Sequence, residues 1–274
     1  TYKPLLDPLP LAGDPIALPR LADAVDRVFP WLTAFTDYVR DELGIQIYAG
    51  RPYLYLRPVL LIGPPGSGKT LAARRLADLA GVGADLLSLG GTSDARHLLG
   101  TARGWASAQP SGPLVAVQRH GCSNPLLILD ELEKAGGSAQ AGRVQSALLA
   151  MLEPVSAERY YDDALNVQTD LSAINWIATA NDAGPIDAAL RSRLTIVRVP
   201  APGGRHLDAI LTQLASDTAA ELGVRRAALP DLDPETRTAL HADLEKYGDV
   251  RRIARGYRRA IAAAVRDRKP PTDA

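Results

Sequence analysis

Cysteine is almost absent. Cys122 stands alone among 274 residues, which excludes an intramolecular disulfide framework and fits a reducing compartment. Cys122 itself reads as a small buried residue rather than a reactive thiol. Charge of one sign is not in excess either. Lys and Arg together number 31, as do Asp and Glu, so no bulk positive field advertises nucleic acid or an anionic membrane, and any such contact has to be local. No run approaches the ~20 uninterrupted apolar residues that span a bilayer, because Arg, Asp or Pro interrupts each apolar stretch. The N-terminus, which starts at Thr1, lacks the basic-then-apolar order of a signal peptide. The expected compartment is the cytoplasm, with no membrane partner.

What is present is apolar bulk: 46% of the residues are hydrophobic, enough for a substantial core in one domain or two modest ones. Pro4, Pro8, Pro10, Pro15 and Pro19 forbid a regular helix over residues 1–20 and predict an extended arm or linker. Leu21, Val25, Val28, Leu32, Phe35, Val39 and Leu43 then recur at helical spacing, interrupted near Pro30, so one or two helices precede the core. From Pro58 to Pro200 short apolar runs alternate with helical patterns, as in a mostly parallel sheet with crossover helices. Strands are expected near 58–62, 85–89, 125–130, 174–180 and 195–199. The runs Val59-Leu60-Leu61-Ile62 and Leu126-Leu127-Ile128-Leu129 are continuous, which suits strands covered on both faces. After Ala201-Pro202-Gly203-Gly204 only helices follow, near 204–222, 234–246 and 249–267. The expected organisation is an arm with leading helices (1–50), a doubly wound α/β domain (51–202) and a small all-helical domain (203–274), without internal repeats.

Gly63-Pro64-Pro65-Gly66-Ser67-Gly68-Lys69-Thr70, followed by Leu71, fits G-x-x-x-x-G-K-[ST] at each fixed position and lies between a strand and a helical stretch. The glycines let backbone N–H groups wrap an anion, and a helix starting near Lys69 adds its positive dipole end. Lys69 is the candidate contact to the β- and γ-phosphates, and the Thr70 hydroxyl a candidate Mg²⁺ ligand. Further on, Leu126-Leu127-Ile128-Leu129-Asp130-Glu131 delivers two acids at the end of a buried strand, where ligands of parallel sheets sit. Asp130 would hold Mg²⁺ directly or through water, and Glu131 would polarise a water toward the γ-phosphate.

With these residues the sequence resembles AAA+ ATPases, and more narrowly the ATPase module of Lon-type proteases, over about residues 57–265. Gly90-Gly91, Asn124-Pro125, Asp130-Glu131-Leu132-Glu133-Lys134, Ser146-Ala147-Leu148-Leu149-Ala150-Met151-Leu152-Glu153-Pro154, Leu165, Val167 and Asp170-Leu171-Ser172 carry the likeness by their order and spacing. The resemblance implies an ATP hydrolase with ATP and Mg²⁺, and a γ-phosphate-sensing residue at Asn181, the end of Trp176-Ile177-Ala178-Thr179-Ala180-Asn181. A carboxamide both donates and accepts, which suits holding the lytic water. In Pro185-Ile186-Asp187-Ala188-Ala189-Leu190-Arg191-Ser192-Arg193-Leu194, Arg193 matches an arginine that reaches the neighbouring subunit's site. Arg191 is the reserve, and a surface pair of Arg193 with Asp187 is the alternative. Arg251, in Gly248-Asp249-Val250-Arg251-Arg252, matches the family's in-cis sensor arginine.

The resemblance further implies a homo-oligomeric ring, hexameric by expectation, and a pore aromatic at Trp105 that grips polypeptide. Ala106 follows where the family usually has a bulky apolar residue, and a Trp packed on a neighbouring loop is the alternative. The basic run Arg252, Arg255, Arg258, Arg259, Arg266 and Arg268 faces away from Ile253, Tyr257, Ile261 and Val265, as a solvated face would; a nucleic-acid patch is the alternative. No Ser/Lys proteolytic domain is recognised before Ala274, so the expected activity is remodelling, unfolding or threading of a protein without peptide cleavage. A nucleic-acid-directed loader or helicase accessory, and a nucleotide-gated scaffold, are the rival readings.

Overall fold

Val59-Leu60-Leu61-Ile62, apolar at each position, forms a fully buried strand in the computed structural model, which describes residues 2–89, 96–103, 108–135 and 139–267. In chain order the elements are helices α1 (Leu21–Val28) and α2 (Thr33–Tyr48), that strand β1 (Val59–Ile62), α3 (Lys69–Ala80) and β2 (Ala84–Ser88). The one-turn helix α4 (Arg96–Leu99), α5 (Gly112–His120), β3 (Leu126–Asp130) and α6 (Ala139–Leu152) follow. Next come one-turn α7 (Pro154–Ala157), an antiparallel hairpin of β4 (Tyr160–Asp162) and β5 (Val167–Thr169), β6 (Asn175–Ala180), one-turn α8 (Ala188–Arg191) and β7 (Thr195–Arg198). Then α9 (Leu207–Leu222), α10 (Pro234–Tyr247) and α11 (Val250–Asp267) complete the order. Two compact units divide these residues: Thr1–Val25, Ala34–Gly63 and Lys69–Arg198 in the first, Asp26–Thr33, Pro64–Gly68 and Val199–Ala274 in the second.

In the first unit β2-β3-β6-β1-β7 stand side by side in one parallel sheet. The connection leaving β1 runs to β2 at one edge, whereas those leaving β3 and β6 step back toward β7. Right-handed crossovers in opposite directions put helices on both faces, which makes the sheet doubly wound. Burial follows: all residues of β1 and β6 are buried, and in β3 only the last, Asp130, is partly exposed. Helix α6 adds Leu148, Met151 and Leu152 to a core shared with Leu127, Leu129 and Trp176. The sheet strands begin and end within one residue of the sequence-based expectation. The β4–β5 hairpin was not anticipated, because strands of three residues leave almost no periodic signal.

Two asparagines tie the amino end of the sheet together. Asn124, fully buried, accepts from the Ala12 N–H at 2.6 Å and donates to the carbonyls of Ala12 at 2.7 Å and Leu54 at 2.9 Å. Asn175, at the start of β6, accepts from the Leu56 N–H at 2.8 Å and donates to the carbonyl of Asn124 at 2.9 Å. The proline-rich arm is therefore fixed to the first unit by satisfied backbone groups, with short 3₁₀ turns at Lys3–Leu6 and Leu18–Arg20. Gly13 has φ 147°, and a Cβ there would lie 2.7 Å from the Leu54 nitrogen, so only glycine permits this approach.

In the second unit α10 starts with an Asp233 side chain that accepts from the Thr236 N–H at 2.7 Å, and ends at Gly248 in the left-handed region. Ile253, Tyr257 and Ile261 of α11 are buried as their spacing predicts, whereas Val265 is exposed. On the basic face Arg252 is paired with Asp243 and Arg258 with Glu221.

Candidate active site

The phosphate-loop motif is shared between the two units: Gly63, Lys69 and Thr70 belong to the first, and Pro64–Gly68 to the second. In the first unit, Lys69 opens α3 and its Nζ donates to the Gly63 carbonyl at 2.7 Å and to Asn181 Oδ1 at 3.2 Å. Thr70 Oγ1 donates to Asp130 Oδ1 at 2.7 Å, and Thr179 Oγ1 donates to the same oxygen at 2.6 Å. Register explains the convergence. Ile62 pairs with Ala180, and Leu129 with Ala178, so β1, β3 and β6 finish side by side and their next residues share one crevice. That crevice lies where the strand order reverses, the place where open parallel sheets bind ligands.

Glu131 follows Asp130 with φ 58°, a left-handed conformation that is uncommon outside glycine and costs on the order of 1 kcal/mol or more. Its N–H donates to Thr179 Oγ1 at 3.3 Å, and its carboxylate accepts from Lys134 Nζ at 2.7 Å. Both partners of that ion pair are substantially exposed, so water screens it and Glu131 is readily released. Two participants were not singled out from the sequence. Thr179, 1% exposed, bridges Asp130 and the Glu131 backbone; a hydroxyl near the end of a buried strand, between two alanines, was the available signal. Glu133 accepts from Asn181, and nothing in the sequence distinguished it from its acidic neighbours.

Arg193 stands apart from this cluster. Its Nε donates to Glu153 at 2.9 Å and its Nη1 to Ser192 Oγ at 3.1 Å and the Ala189 carbonyl at 3.4 Å. The expected alternative partner, Asp187, instead caps α8 by accepting from the Ala189 N–H at 2.7 Å. Arg193 lines a cavity of about 680 Å³ with Arg51, Tyr53, Tyr55 and Arg57. Arg191 lies in the last turn of α8, and Leu71, in the first turn of α3, is 37% exposed.

In the second unit Pro64 and Pro65 are exposed, while Gly66 and Gly68 have φ 77° and 94°. A Cβ on Gly66 would come within 2.2 Å of Asp249 Oδ1, so Asp249 would have to shift, and the positive φ would strain any other residue there. The Gly66 carbonyl accepts from the Val250 N–H at 2.9 Å, and the Ser67 carbonyl from Trp31 Nε1 at 2.7 Å. Because carbonyl and N–H of a trans peptide point opposite ways, the hold on Ser67 turns the Gly68 N–H away from Trp31. Arg251 is exposed at the start of α11, and Asp249 Oδ1 accepts its backbone N–H at 2.8 Å. Trp31 also packs on Phe29, with ring centroids 5.6 Å apart, and on His206 at 5.7 Å. Trp105, the candidate pore residue, lies outside the described residues.

A buried lysine, a Thr–Asp pair at the ends of adjoining elements and a glycine loop define a phosphate-loop nucleotide hydrolase of the α/β class. The family model described as "ATPase family associated with various cellular activities (AAA)" matches residues 59–200, and the chain belongs to that family. Its enzymatic class is therefore that of an ATP hydrolase. Among relatives, a Lon protease of Flavobacterium johnsoniae is 36% identical over 141 residues, covering 52% of this chain and 17% of the relative. The human "Lon protease homolog 2, peroxisomal" is 38% identical over 144 residues, covering 52% and 17%. "Lon protease 2" of Myxococcus xanthus is 36% identical over 171 residues, covering 58% and 21%. The matched stretch thus spans only about a fifth of the length of these relatives. Among the described residues no helix is long and apolar enough to cross a membrane.

Proposed function

We propose that this chain is the motor part of a homo-oligomeric ring, hexameric in the Lon-like manner, that spends ATP on remodelling, unfolding or threading polypeptide without cleaving it. The reading assigns residues 51–202 to the nucleotide domain and 203–274 to a helical lid, and puts the protein in the cytoplasm. The observation that carries it is the placing of two hydrogen-bonded pairs, Lys69 with Asn181 and Thr70 with Asp130, at the carboxyl ends of β1, β3 and β6.

In this reading the Gly63–Thr70 backbone cradles the phosphates, and Lys69 exchanges the Gly63 carbonyl for β- and γ-phosphate oxygens. Thr70 and Asp130 fit Mg²⁺ by the chemistry of their donors, a hydroxyl and a carboxylate already on one hydrogen bond. Among the described residues no cluster of three or more His, Cys, Asp or Glu side chains forms a metal site, which suits an ion that takes one or two carboxylates and completes its shell with phosphates and water. Bound there, Mg²⁺ would neutralise charge on the β- and γ-phosphates. Glu131 accepts a proton from the water that attacks the γ-phosphorus, Asn181 holds that water, and ADP and phosphate leave. Arg193 serves the site of an adjacent subunit and Arg251 senses nucleotide from the lid. The Arg193–Glu153 pair is partly exposed and worth about 0–1 kcal/mol, so redirecting the guanidinium costs little. Trp105 would grip substrate in the pore.

ATPase rates with a permanently unfolded polypeptide, with single-stranded DNA and with neither separate the readings. Stimulation by polypeptide alone is expected. Stimulation by DNA alone favours a nucleic-acid-directed loader or helicase accessory, against which the balanced charge argues. Nucleotide-dependent ring formation without stimulation favours a scaffold.

A further inference from the structure

Asn181 sits between two partners of opposite character. On one side Glu133 Oε1 accepts from both the Asn181 backbone N–H at 3.0 Å and its Nδ2 at 2.8 Å; on the other, Lys69 Nζ donates to Asn181 Oδ1 at 3.2 Å. A carboxylate only accepts and an ammonium only donates, so these neighbours leave the carboxamide a single favourable orientation. Turning it over would set Oδ1 against a carboxylate oxygen and Nδ2 against an ammonium, losing two charge-assisted hydrogen bonds at once. Glu133 gains little for itself from this arrangement. Its second oxygen, Oε2, is buried without a hydrogen-bond partner among the described residues, a costly state for a carboxylate. A carboxylate kept there at such a cost points to its one well-bonded oxygen, the one that grips Asn181 twice.

We infer that Glu133 is a positioning residue that locks Asn181 with its oxygen toward Lys69 and the phosphates, so that Asn181 acts in the reaction as an acceptor and not as a donor to the γ-phosphate. This deepens the proposed function and rests on its assignment of Asn181 to the attacking water. An acceptor at Oδ1 suits a water, which donates one proton toward Asn181 while Glu131 takes the other. Glu133→Gln keeps size but removes one of the two constraints: a Gln amide offers both a donor and an acceptor on that side, so only Lys69 is left to favour one orientation of Asn181.

The test is steady-state ATP hydrolysis by the full chain in four forms: wild type, Glu133→Gln, Asn181→Ala and the double variant. Glu133→Gln is expected to lower kcat about 10- to 100-fold, the scale of a misplaced reacting group, with KM for ATP within about threefold because the phosphate loop is untouched. The double variant should be no slower than Asn181→Ala alone, since Glu133 acts through Asn181. Should Glu133→Gln fail to fold, Glu133→Asp, whose carboxylate is withdrawn by one methylene, carries the same comparison. A wild-type kcat in the Glu133 variant beside a slow Asn181→Ala overturns the inference alone, as do losses that multiply in the double variant. A wild-type kcat in Asn181→Ala overturns the assignment of Asn181, and this inference with it.

Discussion

Thr179 and Asp130, on neighbouring strands of the sheet, are joined by a 2.6 Å hydrogen bond from the Thr179 hydroxyl to the same carboxylate oxygen that accepts from Thr70. The Thr179 oxygen also accepts the Glu131 N–H at 3.3 Å, so one buried hydroxyl orients both acids. Thr179→Val keeps the shape and deletes these bonds. The expected outcome is a roughly tenfold loss of kcat, equivalent to one or two buried hydrogen bonds, and a higher Mg²⁺ concentration for half-maximal rate. Mg²⁺ titrations of ATPase activity check it; an unchanged titration removes Thr179 from the site.

Arg193→Ala is expected to bind ATP normally but to hydrolyse it on the order of 10³-fold more slowly, as for known arginine fingers. Lys69→Ala should lose ATP binding. Mixed rings of the two variants should recover part of the activity, because an intact Arg193 then faces an intact phosphate loop, and recovery should rise with protein concentration. If mixed rings form yet stay inactive, the trans role passes to Arg191.

His206 supplies a pH dependence. Burial, aided by the nearby Arg205 charge, lowers its pKa below the ordinary 6.5, an effect that the Glu245 charge opposes in smaller measure. The Gly203 N–H donates to Nδ1 at 3.0 Å, a bond that a protonated ring cannot accept. Below about 6.5 the unfolded chain therefore binds a proton that the folded chain resists, so this contribution is present above that pH and is lost as pH falls. Thermal unfolding between pH 7.5 and 5.5 should show a steeper loss in wild type than in His206→Gln. Equal slopes contradict the assignment.

Strand positions, the phosphate loop and the acid pair were legible because each is local: continuous apolar runs, glycines at fixed spacing, acids at a strand end. Contacts between distant residues were not. Nothing local links Glu133 to Asn181 or Glu153 to Arg193, since sheet order and loop geometry create those pairs. Asn124 was legible only as part of a pattern; its buried bonds to Ala12 and Leu54 explain the need for a carboxamide there. The strained φ of Glu131 was invisible too, because no sequence rule assigns a left-handed conformation to a glutamate.

The most direct measurement is ATP binding and hydrolysis by Glu131→Gln, in which an amide replaces the proton-accepting carboxylate at nearly constant shape. ATP affinity within about threefold of wild type and a kcat lowered at least ~100-fold are predicted, in the range assigned to general-base catalysis. Hydrolysis at the wild-type rate would contradict the role of Glu131 and with it the account of this site.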